Sequence, residues 1–439
     1  MTRSTIAGVC LAMALFTGVL VAQTRSVGGG ADVTRGTTRS VYADFGVRTI
    51  INVAGSATRV GGAPMPPEVV QAMAAAAVDS VSMMELQAAA SRRIAAATGA
   101  EAGFVTAGAS AGLTLGTAAI LAGFDLATME RLPDTTGMKN EFIISREHRN
   151  GYDHAIRVAG AKLVEVGMNE QLAGAGVRRT EAWEYEAAIS DRTAGIAYVI
   201  TGNSQPPLEQ VVAVARKHGL PVLVDAAGQL PSGLRRLIAS GAALVSSSGG
   251  KGLKGPQSTG ILCGRKDYIA SVALQTLDMD EYFDIWDPPE DLIPKSRLPG
   301  LPRHGIGRGF KVGKEEVIGL LTALKLSEGD ASEDVADAAR RHLESIVRGL
   351  KGLPVEPRLN VPRERTALPS LQLVLNRQVL GRSAFEIARE LKQGDPGVFV
   401  NERLLEQETL VINPMHLDGA RTDALTQRLR AVLSRQMPR

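Results

Sequence analysis

One stretch constrains this chain more than any other. Val222-Leu223-Val224 is an apolar run that ends at Asp225. After a loop and a helix, Ala243-Leu244-Val245 is a second apolar run, ending at Ser246-Ser247-Ser248-Gly249-Gly250-Lys251. A strand, a helix and a strand at this spacing imply a parallel α/β sheet. Ligands of such sheets bind beyond the carboxyl ends of the strands, which is where the acid and the lysine both fall. An amine and a carboxylate delivered there together suit pyridoxal 5'-phosphate. The amine forms a Schiff base with the aldehyde, and the acid pairs with the pyridinium nitrogen.

Lys251 is the first candidate for that amine, because the glycines beside it let the backbone approach a ligand closely. Lys254 is the second; its neighbours Gly255 and Pro256 read as the exit of the turn. Ser248 is three residues before Lys251 and can reach a phosphate. Asp225 ends a buried strand, where a lone charge is expensive and must find a partner. Further upstream, Gly103 to Gly112 is a strand-like entry, a run of small residues and the start of an apolar helix. Free N–H groups at such a helix start can hold a phosphate; a tight packing turn has the same pattern. His148 falls just past the strand Glu141 to Ser145, where an imidazole stacks on a cofactor ring or lies exposed in a loop.

Composition excludes several other classes. The 439 residues are 44% apolar and 22% charged, as in soluble globular proteins. Lys and Arg number 49 against 46 Asp and Glu, a formal net charge of +3, so there is no electrostatic case for nucleic acid or an anionic membrane. Cys10 and Cys263 are the two cysteines, and the six histidines form no HExxH motif. Neither a metal centre nor a disulfide framework is expected.

The N-terminus differs in kind. Arg3 precedes the apolar run Ile6 to Val21, and Ala22-Gln23-Thr24 follows. This is the pattern of a secretory signal over residues 1–22. An uncleaved anchor or an over-extended start is the alternative, with a cytoplasmic location if the signal does not function. Residues 23–40 read as a Gly-, Ser- and Thr-rich tether. Residues 41–65 form an N-terminal arm containing a strand from Val47 to Val53.

Helices from Pro66 to Ala77 and Met84 to Ala97 open a large domain over 66–313. Strands at Glu141 to Ser145, Lys162 to Val166 and Gly195 to Thr201 alternate with helices, including Pro207 to His218. Ile269 to Arg303 breaks the rhythm and reads as a long loop or short-helix excursion, rich in acids and prolines. A smaller α+β domain is expected over 314–439, with helices from Lys314 to Leu326 and Val335 to Leu350 and short strands at Ser370 to Leu375, Val398 to Asn401 and Thr409 to Ile412.

Ser248-Gly249-Gly250-Lys251-Gly252-Leu253-Lys254-Gly255-Pro256-Gln257 resembles the cofactor-lysine segment of the selenocysteine synthase (seryl-tRNA selenium transferase) superfamily, and more closely its D-glucosaminate-6-phosphate ammonia lyase branch. Ile50-Ile51-Asn52 with Gly61-Gly62, Gly99 to Gly103, Thr106 to Gly112, His148 to Arg157 and Arg303 to Glu315 are similar as well. The resemblance implies a fold type I, aspartate-aminotransferase-like enzyme, a homodimer or larger, with sites at subunit interfaces. It implies Lys251 as the Schiff-base lysine, Asp225 as the pyridine partner, and Ala109, Ser110 and Ser248 around the phosphate. His148 would stack on the ring, and Arg303, Arg308 and Lys311 would meet a substrate carboxylate or phosphate. The selenium transferase's tRNA-binding N-terminal domain is not evident here. The expected reaction is Cα deprotonation by Lys251 and β-elimination from a hydroxylated amino acid or amino-sugar acid, with ammonia released. Racemisation, transamination or selenium-transferase-like chemistry is the alternative, and a non-catalytic exported binding protein of the same fold is a third reading.

Overall fold

The apolar runs form strands because β-branched and leucine side chains fit a pleated surface buried on both faces. In the computed structural model, which describes residues 40–168, 178–278, 280–328, 332–363 and 367–435, twelve strands are present among those residues. They are β1 (Ile50–Val53), β2 (Ala102–Thr106), β3 (Glu141–Ser145), β4 (Lys162–Val166), β5 (Thr193–Val199), β6 (Val222–Asp225), β7 (Leu244–Ser248), β8 (Gly260–Gly264), β9 (Val355–Asn360), β10 (Ser370–Leu375), β11 (Gly397–Val400) and β12 (Thr409–Ile412). The expected signal and nearly all of the tether, residues 1–39, lie outside the described residues. No described helix is long and apolar enough to cross a membrane.

Seven strands make the main sheet, in the order β2-β8-β7-β6-β5-β3-β4. From β7 to β4 every pairing is parallel. β8 is antiparallel to both β7 and β2, so it alone runs against the other six. The sequence pattern did not disclose β8. The lysine turn reverses the chain at once, and a direct reversal yields an antiparallel partner where a helical crossover yields a parallel one. β6 sits in the middle and sends Val222 and Val224 into one core layer and Leu223 into the other. That alternation is the period of two of a pleated strand.

Helices cover both faces. Leu208–Lys217 buries Leu208, Val211, Val212 and Ala215, the i, i+3, i+4, i+7 stripe of an amphipathic helix. Met83–Thr98 starts at Ser82, whose hydroxyl accepts from the Glu85 N–H, and stops at Gly99 in the left-handed region at φ 72°. The segment expected to break the rhythm at Ile269 is in fact helical from Lys266 to Gln275. Its buried face, which includes Ile269, Val272, Ala273 and Leu274, packs on the helix Ala109–Ala122.

The C-terminal residues build a three-stranded antiparallel sheet, β12-β10-β9, and a core of their own. β9 is an edge strand that carries Pro357 and buries none of its residues fully, which is why no apolar run marked it. β1 of the N-terminal arm pairs in parallel with β11 and gives Ile51 and Val53 to this C-terminal core. The helix Lys314–Leu326, assigned from sequence to the C-terminal domain, packs on Pro67–Ala76, and its Val317, Leu320, Ala323 and Leu324 join the core of the main sheet. Residues 66–326 therefore share one packing unit, and the arm belongs with the other.

Candidate active site

Asp225 is the last residue of β6 and Ser248 the last of β7, so the sheet itself places both at one end. The Asp225 carboxylate accepts the Ala227 N–H at 3.1 Å. Burial pushes its pKa up; the Ala227 bond and the Lys251 ammonium draw it down without cancelling that rise. Lys251 is thus the cation that acts on Asp225.

The turn that carries Lys251 is closed by backbone bonds. Gly249 N–H donates to Thr259 O at 2.8 Å, Lys254 N–H to Lys251 O at 2.9 Å, and Gly255 N–H to Gly249 O at 2.9 Å. At Gly250 a Cβ would come within 2.4 Å of the Gln257 Cα, so a side chain there would force the turn open. The Gly250 carbonyl also accepts the Ala63 N–H at 3.0 Å, which fastens the N-terminal arm to this turn.

Ser248 stands opposite Gly260 in the β7–β8 register, and Gly260 stands opposite Thr106 on β2. Gly260 touches the start of the helix Ala109–Ala122: a Cβ there would lie 2.5 Å from the Gly108 carbonyl carbon and 2.8 Å from the Ala109 nitrogen. The N-cap is Gly108, which has no side chain to occupy the first-turn N–H groups. Ala109 and Ser110 lie in that turn. Free helix N–H groups beside a serine hydroxyl form an anion cup. The same helix approaches the sheet closely, since a Cβ on Gly112 would be 2.4 Å from Ser246 Oγ.

His148 ends the short turn Arg146–His148 that follows β3. Ion pairs fasten the chain around it. Glu147 accepts from Arg179 Nε at 2.7 Å and from Thr180 N–H at 3.1 Å, while Arg149 Nε donates to Asp153 at 2.5 Å. His148 itself is 3% exposed and edge-on to Tyr198, with ring centroids 4.5 Å apart. Burial lowers its pKa from 6.5 to about 4, so the imidazole is neutral at physiological pH. Neither ring nitrogen has a hydrogen-bond partner among the described residues. Buried polar atoms without partners are costly, and a bound polar ligand would remove that cost.

These residues fit pyridoxal phosphate. Lys251 would supply the amine, Asp225 a half-buried carboxylate for the ring nitrogen, His148 a neutral ring, and the start of Ala109–Ala122 with Ser248 a phosphate cup. Tyr198 was missed from the sequence because an aromatic in an apolar strand carries no mark of its function. Its hydroxyl donates to the Pro206 carbonyl at 2.7 Å, which fixes the ring against His148.

The three basic residues expected at the substrate do not join this group within one chain. Arg308 is ion-paired with Asp278. Together with Lys311 it lines a cavity of about 650 Å³ that also includes Trp286, Met84 and Phe104. None of Lys251, Asp225 or His148 borders that cavity. Arg303 is exposed, and its backbone N–H donates to Glu130 at 2.8 Å. Among the described residues no group of three or more His, Cys, Asp or Glu is arranged to hold a metal.

Known proteins share this arrangement of strands and turns. The chain is 30% identical over 414 residues to the 5'-C-glycyluridine monooxygenase-decarboxylase of a Streptomyces species, a match that covers 92% of this chain and 94% of that protein. It is 28% identical over 403 residues to the D-glucosaminate-6-phosphate ammonia lyase of Salmonella typhimurium, covering 90% and 98%. A solved structure of D-glucosaminate-6-phosphate ammonia-lyase superposes with a TM-score of 0.74 at 27% identity, covering 90% of this chain and 98% of that one. The fold is that of the fold type I pyridoxal-phosphate enzymes. The profile of the family described as SelA, L-seryl-tRNA selenium transferase, matches residues 50–280, and the chain belongs to that family.

Proposed function

We propose that this chain is a pyridoxal-phosphate-dependent lyase acting on a hydroxylated amino acid or amino-sugar acid. The observation that carries the reading is the placement of the Lys251 side chain where it acts on the half-buried Asp225 carboxylate, beyond adjacent parallel strands. Pyridoxal phosphate, when bound, supplies an electron sink for a carbanion at the substrate Cα. Asp225 holds positive charge at the far side of that sink, where the ionised acid is best partnered. His148 packs as a neutral ring. Lys251 takes the proton from Cα as general base. The β-hydroxyl would leave as water with the proton that Lys251 took from Cα, and hydrolysis of the enamine product would give a keto acid and ammonia. The likeness to an ammonia lyase over nine-tenths of the chain supports this outcome.

The test is a panel of D- and L-hydroxy amino acids, D-glucosaminate and its 6-phosphate, scored for ammonia and keto acid with cofactor supplied. Release from at least one, lost in Lys251→Ala, is the expected result; no release from any of them counts against a lyase. The relative from Streptomyces favours a second reading, oxidative decarboxylation of an amino acid. Oxygen uptake with carbon dioxide release in the same panel would identify it.

Two further properties belong to this proposal. The protein is a homodimer or a larger homo-oligomer: Val41, Tyr42, Phe45 and Val47 of the arm are exposed apolar residues that a second copy would cover. Light scattering reads this directly, and a monomer at micromolar concentration would refute it. The chain is also exported, on the strength of Arg3 and the apolar run Ile6 to Val21. N-terminal sequencing of the mature protein should begin near Gln23.

A further inference from the structure

Lys254 adopts φ 59°, a left-handed backbone that a lysine rarely takes and a glycine takes freely. Strain of this kind persists where the surroundings enforce it, and it concentrates at ligand sites. The Lys254 side chain is half-buried, with no hydrogen bond or ion pair among the described residues, and burial alone lowers its pKa. An amine so placed lacks the counter-charge that buried cations normally have.

Its surroundings point the same way. Lys254 lies at the end of the closed turn that begins at Lys251. Across the seam its charge weighs on the imidazole of His416, as does that of Arg421. His416 Nε2 is 3.0 Å from the Asn52 amide nitrogen and lies against the backbone of Gly55 and Gly62. The arm, the lysine turn and the segment after β12 therefore meet around positive charge and amide groups.

We propose that Lys254 receives an oxyanion of the substrate, a carboxylate or a phosphate. This rests on Lys251 being the cofactor lysine. Lys254 then serves as a specificity residue one turn away from the reacting amine, and the strained backbone is retained for the sake of its side chain.

The experiment uses cofactor-loaded protein, whose own phosphate cup is filled, titrated calorimetrically with inorganic phosphate and, separately, with acetate. Loss of one charge-assisted contact should weaken the bound anion by about tenfold or more in Lys254→Gly and Lys254→Met. Lys254→Arg should remain within about threefold of wild type, since it keeps the charge. Lys254→Gly should also melt higher than wild type without anion, because glycine relieves the strain. Tighter phosphate than acetate identifies a phosphorylated substrate, and the reverse a carboxylate. Unchanged affinity in both neutral variants, or no binding of either anion by wild type, overturns the proposal. The visible absorbance that borohydride bleaches is recorded first. Its absence in wild type sinks the Lys251 reading together with this one, whereas a normal band with unchanged anion affinity sinks this one alone.

Discussion

The imidazole of His148 meets the ring of Tyr198 edge-on, centroids 4.5 Å apart and planes at 76°. Aromatic pairs prefer this geometry to a face-to-face stack. It makes Tyr198 the support of the imidazole. Tyr198→Phe keeps the ring and loses one hydrogen bond to the Pro206 carbonyl, worth about 1 kcal/mol. Turnover should stay within about threefold. Tyr198→Ala removes the support and should cost about 3–5 kcal/mol in urea unfolding, with activity lost.

His148 makes stability depend on pH. Burial lowers its pKa from 6.5 to about 4, so between those values the unfolded chain binds more protons than the folded one. Stability therefore rises with pH across that window. The contribution is fully present above 6.5 and lost as the pH falls through 4. At about 1.4 kcal/mol per pKa unit it amounts to about 3 kcal/mol. In cofactor-free protein, the difference in urea midpoint between pH 7 and pH 4.5 should shrink in His148→Phe. An equal difference in the two proteins would exclude His148 as its source.

Asp225 has the opposite sign. Its pKa is raised, chiefly by burial. Its favourable contribution is present below the ordinary value of 3.8 and lost as the pH rises through the folded one. Without cofactor, Asp225→Asn should therefore raise the melting temperature at neutral pH. Loss of a charge-assisted bond to the cofactor, worth about 1.5–3 kcal/mol, should cut turnover by about tenfold to a hundredfold. A variant that is both less stable and fully active would contradict this account.

Gly260 tests the phosphate cup. A Cβ there would lie 2.5 Å from the Gly108 carbonyl carbon. Gly260→Ala must push the start of the helix Ala109–Ala122 off the sheet, at a cost of about 1–3 kcal/mol of overpacking. Cofactor affinity, read by spectroscopic titration, should fall by more than stability alone explains. Normal affinity would show that the cup lies elsewhere.

Much of the site could be read along the chain because its parts are local. Asp225 and Ser248 end apolar runs, and a strand's end in a parallel sheet is a fixed place in three dimensions. The parallel direction of the strands from β3 to β7 follows from alternation with helices; their order, in which β3 lies between β5 and β4, does not. β8 was invisible because its apolar residues follow the lysine turn without a helix between. The start of the helix Lys314–Leu326 was found, but its packing partner was not, since any apolar face can serve either core.

Residue type and spacing along the chain singled out Lys251 and Asp225 as first candidates and determined the parallel sheet, because each depends on neighbours a few residues away. Tertiary structure alone decided that Tyr198 braces His148, that β1 crosses to pair with β11, and that the charge of Lys254 weighs on His416. It also decided that Arg308 is tied to Asp278 and stands apart from Lys251 within one chain. Those relationships join residues far apart along the backbone, and they are set by which buried faces fit together, a property of the packed whole that no local pattern carries.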